Sequence, residues 1–140
     1  MSCSIYGEFA NQLISILAPT KMSTVKSTSS AGLYDPATGY FTVPSTGVYF
    51  CSWSAWYFLA ASNNQAYITP ECWLMLNDST VVAKGEGGAS GPTGVARYVV
   101  AAKSWMVQLT AGDRLSLQCR DGGPAQIPLS NAELLVMRVM

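Results

Sequence analysis

Short runs of alternating apolar and polar residues, each closed by a turn-forming cluster, recur along the chain, a pattern of strands rather than helices. Ile5 to Leu17 is mixed enough to leave a short helix open, but its two halves suit strands ending at Pro19. Lys21 to Ser30, rich in Ser and Thr, reads as an edge or a loop. In Tyr34-Asp35-Pro36-Ala37-Thr38-Gly39 the Asp begins a type I turn, Pro presets φ, and Gly tolerates the left-handed exit. Tyr40 to Val43 is a short strand stopped at Pro44-Ser45-Thr46-Gly47. Val48 to Leu59 is a long strand with Tyr49, Cys51, Trp53, Ala55 and Tyr57 on one face. Its other face holds Val48, Phe50, Ser52, Ser54 and Trp56. Bulky groups on both faces predict a central strand.

Glu71 to Leu76 and Val81 to Lys84 predict a hairpin around Asn77-Asp78-Ser79-Thr80. Gly85 to Gly94 holds five glycines and one proline in ten residues and predicts a loop. Val95 to Ala102 and Ser104 to Leu109 are two strands or one bent strand. Thr110-Ala111-Gly112-Asp113 turns into Arg114 to Cys119, where Leu115, Leu117 and Cys119 share one face. Asp121-Gly122-Gly123-Pro124 is a further turn, and Glu133 to Met140 a closing apolar strand. Eight to ten such strands without intervening helices predict a single all-β domain over 1–140, an antiparallel sandwich or jelly roll.

Composition narrows the function classes. Charged residues make up 11% of the 140, where an average domain has about 25%. With 49% hydrophobic residues, so few charges cover a lone surface poorly, which favours burial of part of it in an oligomer or larger particle. Eight basic and eight acidic residues cancel, so nothing points to nucleic acid. The chain has no histidine, which removes Ser-His-Asp and Cys-His nucleophiles and His-ligated catalytic zinc. The acids are scattered singly; a hydrolase would need two carboxylates within ~10 Å in a cleft. Together these features predict a protein that is not an enzyme.

No stretch approaches a membrane span, and MSCSIYGEF lacks the basic and apolar regions of a signal peptide. Cys3, Cys51, Cys72 and Cys119 form no CxxC and no zinc spacing. Cys51, Cys72 and Cys119 sit in apolar strand-like runs and read as buried free thiols, with one disulfide as the alternative.

The run YDPATGYFTVPSTGVYFCSW resembles the signature of the globular head of the complement subcomponent-q family, whose jelly roll is shared with the tumour necrosis factor superfamily. The resemblance rests on Tyr34-Asp35-Pro36, Gly39, Phe41, Pro44, Gly47 and Tyr49-Phe50. It continues through the strand-turn-strand of Leu74 to Lys84 and through Leu109-Thr110-Ala111-Gly112-Asp113-Arg114-Leu115, and covers the chain from about Ile5 onward. The last strand departs from it: Ser130-Asn131-Ala132-Glu133-Leu134-Leu135 stands where the family usually has Ser-x-Phe-x-Gly-Phe. The resemblance implies a ten-stranded jelly-roll sandwich that is homotrimeric, with one sheet facing the threefold axis.

In such a head the aromatic strand, with Tyr49, Phe50, Trp53, Trp56 and Tyr57, would fill both core and trimer interface. Core packing is the plain expectation for Trp53, Trp56, Trp73 and Trp105, none of which sits in a loop. The glycine-rich stretch, with Gly85, Glu86, Gly88, Ser90 and Thr93, lacks the ending of a phosphate-binding loop and is expected to contact a partner. Asn77-Asp78-Ser79 matches a glycosylation sequon but suits a hairpin turn. Some relatives hold calcium near the trimer top, and the turn residues Asp78, Asp113 and Asp121 are weak candidates for it; no other cofactor or metal is expected. Without a stalk or a signal, the head is expected to stand alone as a virion component of a bacterial virus, a capsid decoration trimer or fibre head docked on capsid or fibre proteins. The alternative is an extracellular recognition head that binds glycan or protein ligands.

Overall fold

The computed structural model describes residues 2–12, 19–28, 32–59, 67–68, 70–87, 89–90, 96–120 and 128–140. Among them run twelve strands: β1 (Ser2–Gln12), β2 (Thr24–Thr28), β3 (Tyr34–Asp35), β4 (Tyr40–Thr42), β5 (Gly47–Leu59), β6 (Tyr67–Ile68), β7 (Glu71–Leu76), β8 (Thr80–Glu86), β9 (Ala89–Ser90), β10 (Arg97–Leu109), β11 (Arg114–Arg120) and β12 (Leu129–Arg138). Ten of them form one antiparallel sheet in the order β2-β1-β12-β5-β10-β8-β7-β11-β4-β3. β6 and β9 make a separate two-stranded ladder.

The ten strands fold as two five-stranded halves that face each other. Only Ala102↔Glu86 pairs β10 with β8 among the described residues, so a single bridge joins the halves. Across the core the Trp53 indole Nε1 donates to the Cys72 carbonyl at 2.8 Å, and the Tyr57 hydroxyl to the Glu71 carbonyl at 2.9 Å. The alternation read from the sequence produces this core directly. Tyr49, Cys51, Trp53, Ala55, Tyr57 and Leu59 of β5 are buried against Leu74 of β7 and Leu115, Leu117 and Cys119 of β11. Burying one such leucine side chain stabilises the fold by about 1.5–3 kcal/mol.

β5 is central, as its two bulky faces predict: β12 pairs along one side and β10 along the other. The expected turn after Asp35 forms as well. The Asp35 carbonyl accepts from Thr38 N at 3.2 Å and Gly39 N at 2.8 Å, Asp35 Oδ1 accepts from Ala37 N at 2.9 Å, and Gly39 takes φ +82°. The hairpin between β7 and β8 turns at Asn77 (φ 51°) and Asp78 (φ 60°), the two positive values of a type I′ turn.

Two open readings resolve and one expectation changes. Lys21 to Ser30 contains a true edge strand, β2, paired to β1 alone. Val95 to Leu109 yields one continuous strand from Arg97, held by thirteen residue pairs to β5. Gly85 and Glu86 lie not in a loop but in β8. A Cβ at Gly85 would stand 3.0 Å from the Ala102 carbonyl carbon and 3.2 Å from the Cys72 oxygen, and one at Gly87 would strike the Val100 carbonyl. These glycines let β8 pass against β10 where the two halves join. Composition alone cannot separate that use of glycine from loop flexibility. Gly88, Thr93 and the turn at Asp121 lie outside the described residues; Ser90 belongs to β9.

Candidate functional site

The outer face of the half-sheet β1-β12-β5-β10 is the surface that composition does not explain. Because side chains alternate, each residue flanking a core position points outward, and register aligns those residues in rows across the strands. One row is Met137, Phe50 and Met106; a second is Leu135, Ser52 and Ser104; a third is Glu133, Ser54 and Ala102; a fourth is Asn131, Trp56 and Val100. Phe58 and Tyr98 pair beyond the fourth row.

Apolar groups occupy both ends of this face. At one end Met106 is 51% and Met137 38% exposed, with Phe50 between them. At the other, Trp56 and Tyr98 are 38% and 54% exposed. Tyr98 bridges an aromatic cluster: its ring centroid lies 6.3 Å from that of Trp56 and 5.6 Å from that of Phe58. Between the ends runs a serine-rich waist, a trough of about 520 Å³ lined by Ser4, Ser52, Ser54, Ser104, Glu133 and Leu135 among others. The Ser104 hydroxyl donates to Ser52 Oγ at 3.3 Å. Beside the trough the Tyr6 hydroxyl donates to Glu8 Oε1 at 3.1 Å. Slight burial, that bond and the nearby Glu8 and Glu133 charges push the Tyr6 hydroxyl up from its ordinary pKa.

β10 carries this surface round to the sheet edge. Past Ala102 no described strand pairs with its free side. Lys103 and Trp105 project on the core side of β5 yet stay exposed there, Trp105 at 46%, with the Lys103 ammonium 5.3 Å from the Trp105 ring centroid.

The structure divides the predicted aromatic strand between two tasks. Tyr49, Trp53 and Tyr57 are core residues, and each satisfies its polar atom on a main-chain carbonyl: Ser45, Cys72 and Glu71 respectively. Phe50 and Trp56 face outward. The expectation of core packing for every tryptophan is therefore corrected, since Trp56 and Trp105 are exposed on strands rather than loops. Tyr98, Phe58, Met106 and Met137 went unremarked in the sequence. Alternation marks them as sharing a strand face but carries no sign of which face meets the core.

The calcium candidates Asp78 and Asp113 belong to one network, linked through Asn77 and Arg114 and supplied by protein donors. Asp113 Oδ2 accepts from Thr110 N at 2.8 Å and its Oδ1 from Asn77 Nδ2 at 3.1 Å. Asp78 Oδ2 accepts from the Tyr40 hydroxyl at 2.7 Å and lies 3.5 Å from the Arg114 guanidinium, which stacks over the Tyr40 ring. The bond to Asp78 pushes the Tyr40 hydroxyl up. Asn77 Oδ1 also accepts from Arg114 N at 2.8 Å. This arrangement pins the β7–β8 turn to the start of β11. Asp121 is outside the described residues, and among those described no three Cys, Asp or Glu side chains cluster as metal ligands.

The C1q domain model matches residues 20–133, from the turn before β2 into β12. The chain belongs to the C1q domain family. The globular domain of zebrafish complement 1qA superposes with a TM-score of 0.64 at 14% identity, covering 99% of this chain and 97% of that one. Eiger TNF from S. frugiperda gives 0.64 at 16% identity, covering 100% and 92%. No curated protein matches by sequence. The family model thus covers residues 20–133, and the jelly-roll fold is shared with both solved structures.

The C1q assignment also explains the signature residues. Asp35, Pro36 and Gly39 build the β3–β4 turn, and Phe41 enters the core fully buried. The Tyr34 hydroxyl accepts a hydrogen bond from Met22 N at 2.8 Å, and burial pushes its pKa up.

Proposed function

We propose that this C1q domain is a non-enzymatic recognition head that closes as a homotrimer through the outer face of β1-β12-β5-β10, and that it acts outside the cell on a protein or glycan ligand. The observation that carries the reading is the exposed apolar face itself. Trp56, Phe58, Tyr98, Phe50, Met106 and Met137 stand on one flat half-sheet of a chain with few charges. Exposed apolar area of this kind is a mark of protein contact. The exposed β10 edge with Trp105 supplies a second, different surface beside it. Two unlike surfaces on one chain suit a rotational ring, in which each copy gives an edge and receives one on its face.

The C1q family membership and the fold shared with zebrafish complement 1qA and Eiger TNF favour the recognition head. They lend nothing to the virion component that the sequence suggested. Light scattering after size exclusion tests the assembly. The expected mass is that of three chains, and Tyr98→Glu with Met106→Glu is expected to give folded monomers, because a charge buried in an apolar interface is costly. A monomeric parent chain would overturn the trimer. Trimers that survive both substitutions would move the interface to another face.

A further inference from the structure

The thiols of Cys72 on β7 and Cys119 on β11 lie 3.3 Å apart in the buried core, and the two residues are directly opposite in the β7–β11 ladder. Residues so paired have Cα atoms roughly 4.5–5.5 Å apart, inside the roughly 4.4–6.8 Å span that a disulfide bridges. We propose that Cys72 and Cys119 are a built disulfide site, closed during folding by exchange with a small-molecule disulfide and then sealed in the core.

The other two cysteines are kept out of the reaction by register. Cys3 of β1 and Cys51 of β5 both pair with Val136 of β12, from opposite sides. They are therefore two strand spacings apart, roughly 9–10 Å, beyond the roughly 7 Å limit for bridging. Both belong to the half-sheet facing β7 and β11, whereas Cys72 and Cys119 are partners in one ladder with their sulfurs already in contact. Of the pairings that four thiols allow, the fold favours one.

The exchange balances in two displacements. One cysteine, as thiolate, attacks a sulfur of the small disulfide. A mixed disulfide forms, and one small thiolate leaves. The second cysteine, after losing its proton to solvent, attacks the protein sulfur of that mixed disulfide and expels the second small thiolate. Two protein thiols are oxidised to one cystine, the small disulfide is reduced to two thiols, and the two cysteine protons pass to the leaving thiolates. Because both sulfurs are buried in the folded chain, attack occurs while β7 and β11 are still open to solvent. Burial holds the Cys72 thiol well above its ordinary pKa, which lowers the reactivity of that sulfur once the core has closed. The bond would staple two adjacent interior strands of the second half-sheet and favour the folded chain by restricting the unfolded one. This site follows from the fold alone and holds whether or not the chain forms a recognition trimer.

The test is refolding of the reduced, denatured full chain with oxidised and reduced glutathione. Remaining thiols are then blocked under denaturing conditions and the peptides mapped without reduction. The expected product carries a Cys72–Cys119 link, is lighter by two hydrogen atoms, has Cys3 and Cys51 blocked as thiols, and melts higher than its reduced form. Cys3→Ser with Cys51→Ser is expected to keep the link. Links to Cys3 or Cys51, stable glutathione adducts in place of the link, or four blocked thiols after equilibration would each overturn the proposal. The readout is a covalent link within one chain, so a failed trimer would leave it unchanged.

Discussion

The indole Nε1 of Trp53 donates its hydrogen to the main-chain carbonyl of Cys72, 2.8 Å away, and this bond ties β5 of one half-sheet to β7 of the other through the core. The Trp53→Phe variant keeps most of the apolar body but leaves that carbonyl without its donor. The expected loss is about 1–3 kcal/mol, the cost of an unmet buried polar group with the smaller ring adding to it. Urea unfolding followed by circular dichroism checks it, and an unchanged midpoint would contradict the coupling.

Gly87→Ala tests the passage of β8 against β10. The new methyl group would meet the Val100 carbonyl, and backbone gives way less readily than the end of a side chain. The expected destabilisation is about 2 kcal/mol or more, read as a fall in melting temperature. A melting temperature at or above that of the parent would show that Gly87 serves loop freedom after all.

Cys51 predicts an alkaline loss of stability. Burial pushes its thiol from 9.0 up to about 12. Below the unfolded value both states hold the proton and the contribution is complete. Above it the unfolded chain ionises first, so stability falls by about 1.4 kcal/mol per pH unit until the folded thiol ionises too. Comparing the parent with Cys51→Ala at about pH 8 and about pH 10 isolates this effect. Parallel pH profiles would refute it.

Asp113→Ala tests whether the aspartates of the turn cluster are structural. The substitution removes the acceptor for Thr110 N and for Asn77 Nδ2. The expected cost is about 1–2 kcal/mol, measured as a lower melting temperature, with the native mass unchanged because the cluster lies away from the apolar face. A change of mass would place this turn at the interface.

The sequence by itself determined most of the longer strands, the turns after Asp35 and at Asn77-Asp78, and the central place of β5. Those features are local: alternation with period two makes a strand, and an Asp-Pro-x-x-Gly spacing makes a turn whatever lies around it. Even the split of β5 into Tyr49-Trp53-Tyr57 and Phe50-Trp56 was visible as two faces. Tertiary structure decided which face is covered. Both faces of β5 are bulky, and only the closing of the second half-sheet over Trp53 leaves Trp56 outside. It likewise decided that Gly85 and Gly87 serve close packing, because the carbonyls they accommodate belong to residues about fifteen positions away. The meeting of Cys72 with Cys119 has the same origin. Nothing near either cysteine in the chain specifies the other, and the pair exists because the register of β7 on β11 is set by the whole sheet.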